Sequence, residues 1–182
     1  MITRDQAIKL VKEHLKNENL VKHSLAVEAC MIAFADKFNE DKEKWGLTGL
    51  LHDLDYDYTY DDPDNHTLKT VELLEEYNLD QDILHSIKAH NEKAKMESKM
   101  DIALYTIDPA SGFIIACALM HPTKKLESIN LKRMKKRFKS KAFAKGASRE
   151  QMQECVKMGV DLDDFLVTCL TAMQGISDQL GL

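Results

Sequence analysis

The chain has 182 residues, 44% of them hydrophobic and 30% charged, and carries a net charge of −5. That balance excludes a disordered or low-complexity chain and is enough to bury a substantial core within one domain. No apolar run approaches the ~20 residues a bilayer-spanning helix needs, and residues 1–20 are charged rather than signal-like, so a cytosolic (cytoplasmic) protein with no membrane partner is expected. Cys30, Cys117, Cys155 and Cys169 show no C-x-x-C spacing and read as reduced helix residues, not a disulfide frame.

Taken in order, Thr3 with Gln6 fits a capping box for a helix over 4–17, striped by Ile8, Leu10, Val11 and Leu15. A second helix runs from about Leu20 to Phe38 with His23 in its first turn; alone, that histidine reads as a capping or surface group. Residues 41–45 begin a third helix, whose LTGLL run is apolar all round and so central to the core. The acidic segment DLDYDYTYDDPD reads as a loop at the rim of a site, with Asp55 and Asp57 close enough to His52 and Asp53 to tune them from behind. Asn65 can cap a helix from His66 to Tyr77, and Asp80 one that ends near His90, with His85 on a different face. A helix over about 98–120 follows, and Pro109 should kink or break it. Ser148 with Gln151, and Asp161 with Asp164, open two last helices, the second apolar around its circumference and suited to closing the core or a dimer contact. The fold class is all-α.

His52 and Asp53 stand side by side at the end of the apolar run, where an imidazole and a carboxylate must be paired, hydrogen-bonded or metal-bound to offset desolvation. His23, His66, His90 and Asp108 are the available partners. Imidazoles with carboxylates suit divalent Zn, Fe, Mn, Ni or Co better than Ca or Mg. Six such groups exceed one closed structural site; they are enough for two ions sharing a carboxylate, with positions open for water and substrate. Ser111 and Gly112, one turn beyond Asp108, either leave room for substrate or simply allow close helix packing. Residues 124–145 hold ten Lys or Arg against Glu127 alone, a stretch that should attract phosphates.

The order H…HD…H…H…D resembles the HD-domain superfamily of metal-dependent phosphohydrolases, and LLHDLDYD, IKAHN and SGF look like its small hydrolases. The resemblance covers about Leu20 to His121. It implies an HD-like helical bundle with a C-terminal helical extension over 122–182. By that resemblance His23, His52, Asp53 and Asp108 hold a first ion, and Asp53 bridges to a second held by His66 and His90. Two places depart from the pattern. Dinuclear relatives often carry a second histidine where Asn91 stands, so the second ion is expected to be weakly held or absent. Others place a lysine where Tyr56 stands.

The expected function is hydrolysis of a phosphoester or phosphoanhydride in a small, nucleotide-like phosphorylated substrate by water activated on one or two ions, with Asp53 and Asp55 as catalytic groups. Arg133, Lys136 and Lys139 are expected to fold over the site and clamp substrate, with Ser111 beside it. Two other classes compete: a metal- or nucleotide-binding module without turnover, and nucleic-acid binding through residues 124–145. Net acidity and the absence of a recognition motif argue against the latter.

Overall fold

The computed structural model describes residues 2–140 and 142–182; Met1 and Lys141, the latter counted above in the basic stretch, lie outside the described residues. Among the described residues there are helices and turns and no strand, as the hydrophobic periodicity implies. Helix α1 (Arg4–His14) begins with a reciprocal cap, the Gln6 side chain accepting the Thr3 amide at 2.8 Å and Thr3 Oγ1 accepting the Gln6 amide at 3.3 Å. Helix α2 (Glu18–Phe38) starts earlier than expected, capped by Asn17, which moves His23 into its second turn. Helix α3 (Lys42–Leu51) is capped by Asp41 Oδ1, which accepts the Glu43 and Lys44 amides at 2.9 and 3.0 Å.

Helices α2 and α3 approach closely because α3 carries glycine at the contact. A Cβ on Gly49 would stand 2.9 Å from Met31 Cγ and 3.1 Å from the backbone of Glu28, so any side chain there would force the helices apart. The Glu28 carboxylate is itself buried and accepts Nε and Nη2 of Arg4 at 2.5 and 2.8 Å, tying α1 to α2. Its charge is thereby matched in place.

The acidic loop after Asp53 contains one helical turn, α4 (Tyr56–Thr59). Helix α5 (Leu68–Leu74) begins two residues later than the expected start at His66, because Thr67 has φ 73°, outside the helical region. The expected Asn65 side-chain cap is likewise replaced: its backbone carbonyl takes the Leu68 and Lys69 amides while its amide group donates to Asp62. Helix α6 (Gln81–His90) ends on a histidine. Helix α7 (Lys99–Leu119) runs unbroken through Pro109, its residues from Ala103 to Ile114 mostly buried, so packing on both sides offsets the missing amide bond. α7 also corrects the expectation about spanning segments: it is long and apolar enough to cross a membrane, though most of its apolar window is buried in the fold. Helices α8 (Leu131–Phe138), α9 (Arg149–Gln153), α10 (Leu162–Gln174) and α11 (Ser177–Leu180) complete the chain.

The core has two parts. One gathers α2, α7 and α10 around Phe34, Ile107, Phe113 and Phe165. The other gathers α1, α3 and α6 around Val11, Leu50, Leu51, Ile83 and Ile87. Each such side chain contributes roughly 1.5–3 kcal/mol of burial. The loop between α8 and α9 is gathered by Arg149, whose guanidinium donates to the carbonyls of Phe143, Ala144 and Ala147 at 2.6, 2.9 and 2.6 Å and lies 4.8 Å over the Phe113 ring.

Candidate metal centre

The six ligand-type residues meet at the seam between these two parts. His23 comes from the second turn of α2 and Asp108 from the middle of α7. His52 and Asp53 occupy the turn that ends α3, not successive positions inside a helix, with His52 still at helical φ −60° and ψ −32°. His90 closes α6, and His66 lies in the turn before α5, immediately ahead of the positive-φ Thr67. Backbone held in that region is costly and persists where the surroundings over-determine it.

Asp53 is the centre of the arrangement. Its Oδ2 is 3.3 Å from Nε2 of His52 and 3.6 Å from Nε2 of His23. Its Oδ1 is 3.4 Å from Nε2 of His66 and 3.4 Å from Nε2 of His90. Asp108 Oδ1 adds to the first group, 3.1 Å from His23 Nε2 and 4.0 Å from His52 Nε2. Two clusters result, His23–His52–Asp53–Asp108 and Asp53–His66–His90, each with donor atoms within 4.8 Å of one another.

The opposite nitrogen of every imidazole is fixed. His52 Nδ1 donates to the Gly49 carbonyl at 2.8 Å and His90 Nδ1 to that of Ile87 at 2.7 Å. His66 Nδ1 donates to Asp55 Oδ1 at 2.7 Å. Ser111 Oγ donates to the Asp108 carbonyl at 2.9 Å, so at its 3.0 Å contact with His23 Nδ1 it accepts. Each neutral ring therefore turns an Nε2 lone pair toward Asp53. Lone pairs facing a carboxylate repel unless a cation lies between them. His52 Nε2 and Asp53 Oδ1 are buried without a hydrogen-bond partner among the described residues, a cost of about 1–3 kcal/mol per group if nothing binds there. The separations of 3.3–3.6 Å match two donors each roughly 2.0–2.2 Å from a shared ion. The donor set thus fits divalent metals.

The charges follow the same logic. Burial would push the Asp53 carboxyl up, but the His52 and His90 imidazoles outweigh it and hold it well below the usual carboxylate range. Burial acts likewise on Asp108 and is outweighed by His23. For His23, burial lowers the imidazole, and the Asp108 and Asp53 carboxylates more than restore it, leaving it above its ordinary value. His66 is raised in the same way, by Asp55 and Asp53 against burial. Without a cation, protons would fill the place the carboxylates reserve for one.

A cavity of about 450 Å³ opens beside the first group. His23, Asp53, Asp108 and Tyr56 line its inner side, and Gly112, Ala144, Gly146, Ala147 and Gln151 its outer wall. A Cβ on Gly112 would meet nothing within 4 Å, so this glycine leaves open space and is not there for close packing. The Tyr56 ring stands edge-on to His66, centroids 5.7 Å apart. Burial and the nearby Asp53 and Asp108 charges raise its phenol, so it stays a hydrogen-bond donor at neutral pH.

Several expected roles move. Ser111 is buried and bonded to His23, so it is placed to orient that imidazole and does not line the cavity. Asp55 is fully buried behind His66, its Oδ1 held by that imidazole and its Oδ2 by the Thr70 amide at 2.9 Å; it is a positioning group with no free oxygen for proton transfer. Arg133 and Lys136 on α8 and Lys139 at its C-cap are exposed and do not line the cavity. The loop after that helix forms the wall instead. Sequence reasoning missed Ala144, Gly146, Ala147 and Gln151, which carry no chemical signature, and Tyr56, whose place at the lysine position was the available signal. Asn91 donates weakly to the His66 carbonyl at 3.3 Å.

Comparison with known proteins agrees with this geometry. Ribonuclease Y of Lawsonia intracellularis is 30% identical over 154 residues, 81% of this chain but 28% of that protein. Ribonuclease Y of Oleidesulfovibrio alaskensis is 27% identical over 53% of this chain and 18% of its own length, and that of Mycoplasma mycoides 29% identical over 52% and 22%. The chain thus spans less than a third of these relatives. No solved structure matches. The family profile described as the HD domain matches residues 20–139, a range holding all six ligand-type residues, and the chain belongs to the HD-domain family.

Proposed function

We propose that this protein is a metal-dependent phosphoester hydrolase acting on a nucleotide-like substrate. The observation that carries the reading is Asp53 with two imidazole Nε2 atoms at each carboxylate oxygen and a cavity opening beside it. His23, His52, Asp53 and Asp108 would hold one divalent ion, and Asp53, His66 and His90 a second, less completely ligated one. Such ions, when bound, lower the pKa of water and absorb charge on phosphoryl oxygens.

The chain's own groups supply the rest. The Tyr56 hydroxyl, kept protonated, donates a hydrogen bond to a phosphoryl oxygen entering the cavity, the task a lysine would do with a full charge. Gly112 and Ala147 leave the space for a sugar or base. The relatives are named as ribonucleases, which favours phosphodiesters among the substrate classes.

The test is reconstitution. Protein stripped of metal and reloaded with Mn, Fe, Co, Ni or Zn should hydrolyse members of a panel of mononucleotides, dinucleotides and nitrophenyl phosphoesters, and Asp53→Asn should abolish metal content and turnover together. Full metal occupancy with nucleotide binding but no turnover across the panel would replace this reading with that of a non-catalytic binding module.

A further inference from the structure

The family match ends at residue 139, and Ala147, beyond it, lines both the metal cavity and the concave surface next to it. This neighbouring groove, of about 440 Å³, also holds Phe138, Lys139, Lys145 and Ser148. Lys139 in turn lines a further groove of about 480 Å³ with Leu131, Lys132, Lys135 and Lys136. Three concavities, each sharing a lining residue with the next, therefore lead from the Asp53 centre to α8.

The cations in this path are arranged as a row. Lys132, Lys136 and Lys139 recur at i, i+4 and i+7, which places them on one face of a helix about 12 Å long. All three are exposed, and none has a carboxylate within 4.0 Å among the described residues. Lys135 is paired with Asp163 at 2.6 Å, and Glu150 is the acid in the intermediate groove. Phe138, half-buried with its ring edge-on to Phe113, lines the intermediate groove beside Lys139 and contributes an aromatic surface. At the Tyr56 rim of the cavity the loop running on to His66 presents exposed Asp57, Asp61, Asp62 and Asp64. A polyanion is repelled from that rim and drawn toward α8.

We infer that the grooves from Ala147 to Lys132 form a second binding site, a track for the phosphates and one or more bases of a single-stranded oligonucleotide whose reacting phosphate lies in the cavity. A groove with spaced cations and an aromatic side chain is the combination that holds single strands without reading their sequence. A mononucleotide would occupy the cavity alone and leave the track empty. The inference rests on the reading of the Asp53 centre as a phosphoester site for its direction, but its test is binding, not turnover.

The experiment is fluorescence anisotropy with a labelled 12-nucleotide oligouridylate and the equivalent oligothymidylate, at several salt concentrations, on the full chain. Wild-type affinity should fall as salt rises. The variant Lys132→Glu/Lys136→Glu/Lys139→Glu should bind at least tenfold more weakly, with a log–log salt slope shallower by about 2. Phe138→Leu should weaken binding roughly fivefold or more. Helicity and metal content at wild-type levels certify that both variants are folded. Oligonucleotide affinity unchanged in the triple variant overturns the track, as does a wild-type protein that binds anionic vesicles through these lysines and ignores both strands. Strand binding by a protein that hydrolyses no phosphoester would sink the proposed function and leave the track standing.

Discussion

Ser111 Oγ lies 3.0 Å from His23 Nδ1, across 88 residues of sequence, and donates its own hydrogen bond to the Asp108 carbonyl. One hydroxyl thus fixes the tautomer of one candidate ligand while bonding to the backbone of another. Ser111→Ala should leave the fold intact and weaken metal binding roughly ten- to a hundredfold. Isothermal titration of the stripped protein with Mn or Zn measures it, and wild-type affinity would show that the hydroxyl does not orient the ring.

Asp55 acts on the other group. Its carboxylate holds His66 Nδ1 and the Thr70 amide, so Asp55→Ala should loosen the His66–His90 side and leave His23, His52 and Asp108 in place. Elemental analysis at limiting metal should show stoichiometry falling toward one ion per chain. Complete loss of metal would mean that the two groups are not separable.

The response to pH has opposite signs with and without metal. In the stripped protein His23 and His66 are raised above 6.5 and Asp53 and Asp108 are lowered below 3.8. The raised imidazoles stabilise the fold below their unfolded value and lose that contribution as pH rises through the folded one. The depressed carboxylates stabilise it above their unfolded value and lose that as pH falls. Chelated protein should therefore be most stable between about pH 4 and 6.5 and its Tm should decline toward pH 8.5. An ion needs the same Nε2 atoms unprotonated, so metal affinity should rise over that same interval. Saturation at a hundred times Kd adds about 2.7 kcal/mol, or roughly 5–11 °C in Tm for a chain of this size. Parallel thermal melts across pH, with chelator and with metal, decide it; two curves of the same slope would contradict the assignment.

Gly49→Ala tests the close approach of α2 and α3. The new methyl group meets Met31 Cγ at 2.9 Å and the Glu28 backbone at 3.1 Å, and overpacking of this kind costs about 1–3 kcal/mol. Because the same contact sets His23 against His52 and Asp53, metal affinity should fall along with Tm. A lower Tm with undiminished affinity would uncouple the packing from the centre.

The ligand-type residues stood out in the sequence because imidazoles and carboxylates beside Leu50 and Leu51 have few inexpensive environments. Helix order and the caps at Thr3 and Ser148 were legible for a similar reason: short polar side chains at those positions have one obvious partner. What pattern could not convey was direction. Composition marks residues 124–145 as basic but does not say that the lysines of α8 stay outside the cavity lining. Ser111 and Asp55 had the right chemistry, yet whether a hydroxyl or carboxylate meets substrate or a neighbouring imidazole depends on a contact 88 or 11 residues away in sequence. The wall of Ala144, Gly146 and Ala147 was invisible because small residues act through the space they leave.

That wall hangs on Arg149. A single guanidinium collects four carbonyls of the loop and rests on Phe113, whereas every imidazole and carboxylate of the centre is anchored elsewhere, on α2, α6 and α7 and in the turns that end α3 and precede α5. The six ligand-type residues and the wall that shapes the cavity are consequently mounted on different hardware. Substituting Ala144, Gly146 or Ala147 would resculpt the opening while every ligand-type side chain keeps its own anchor.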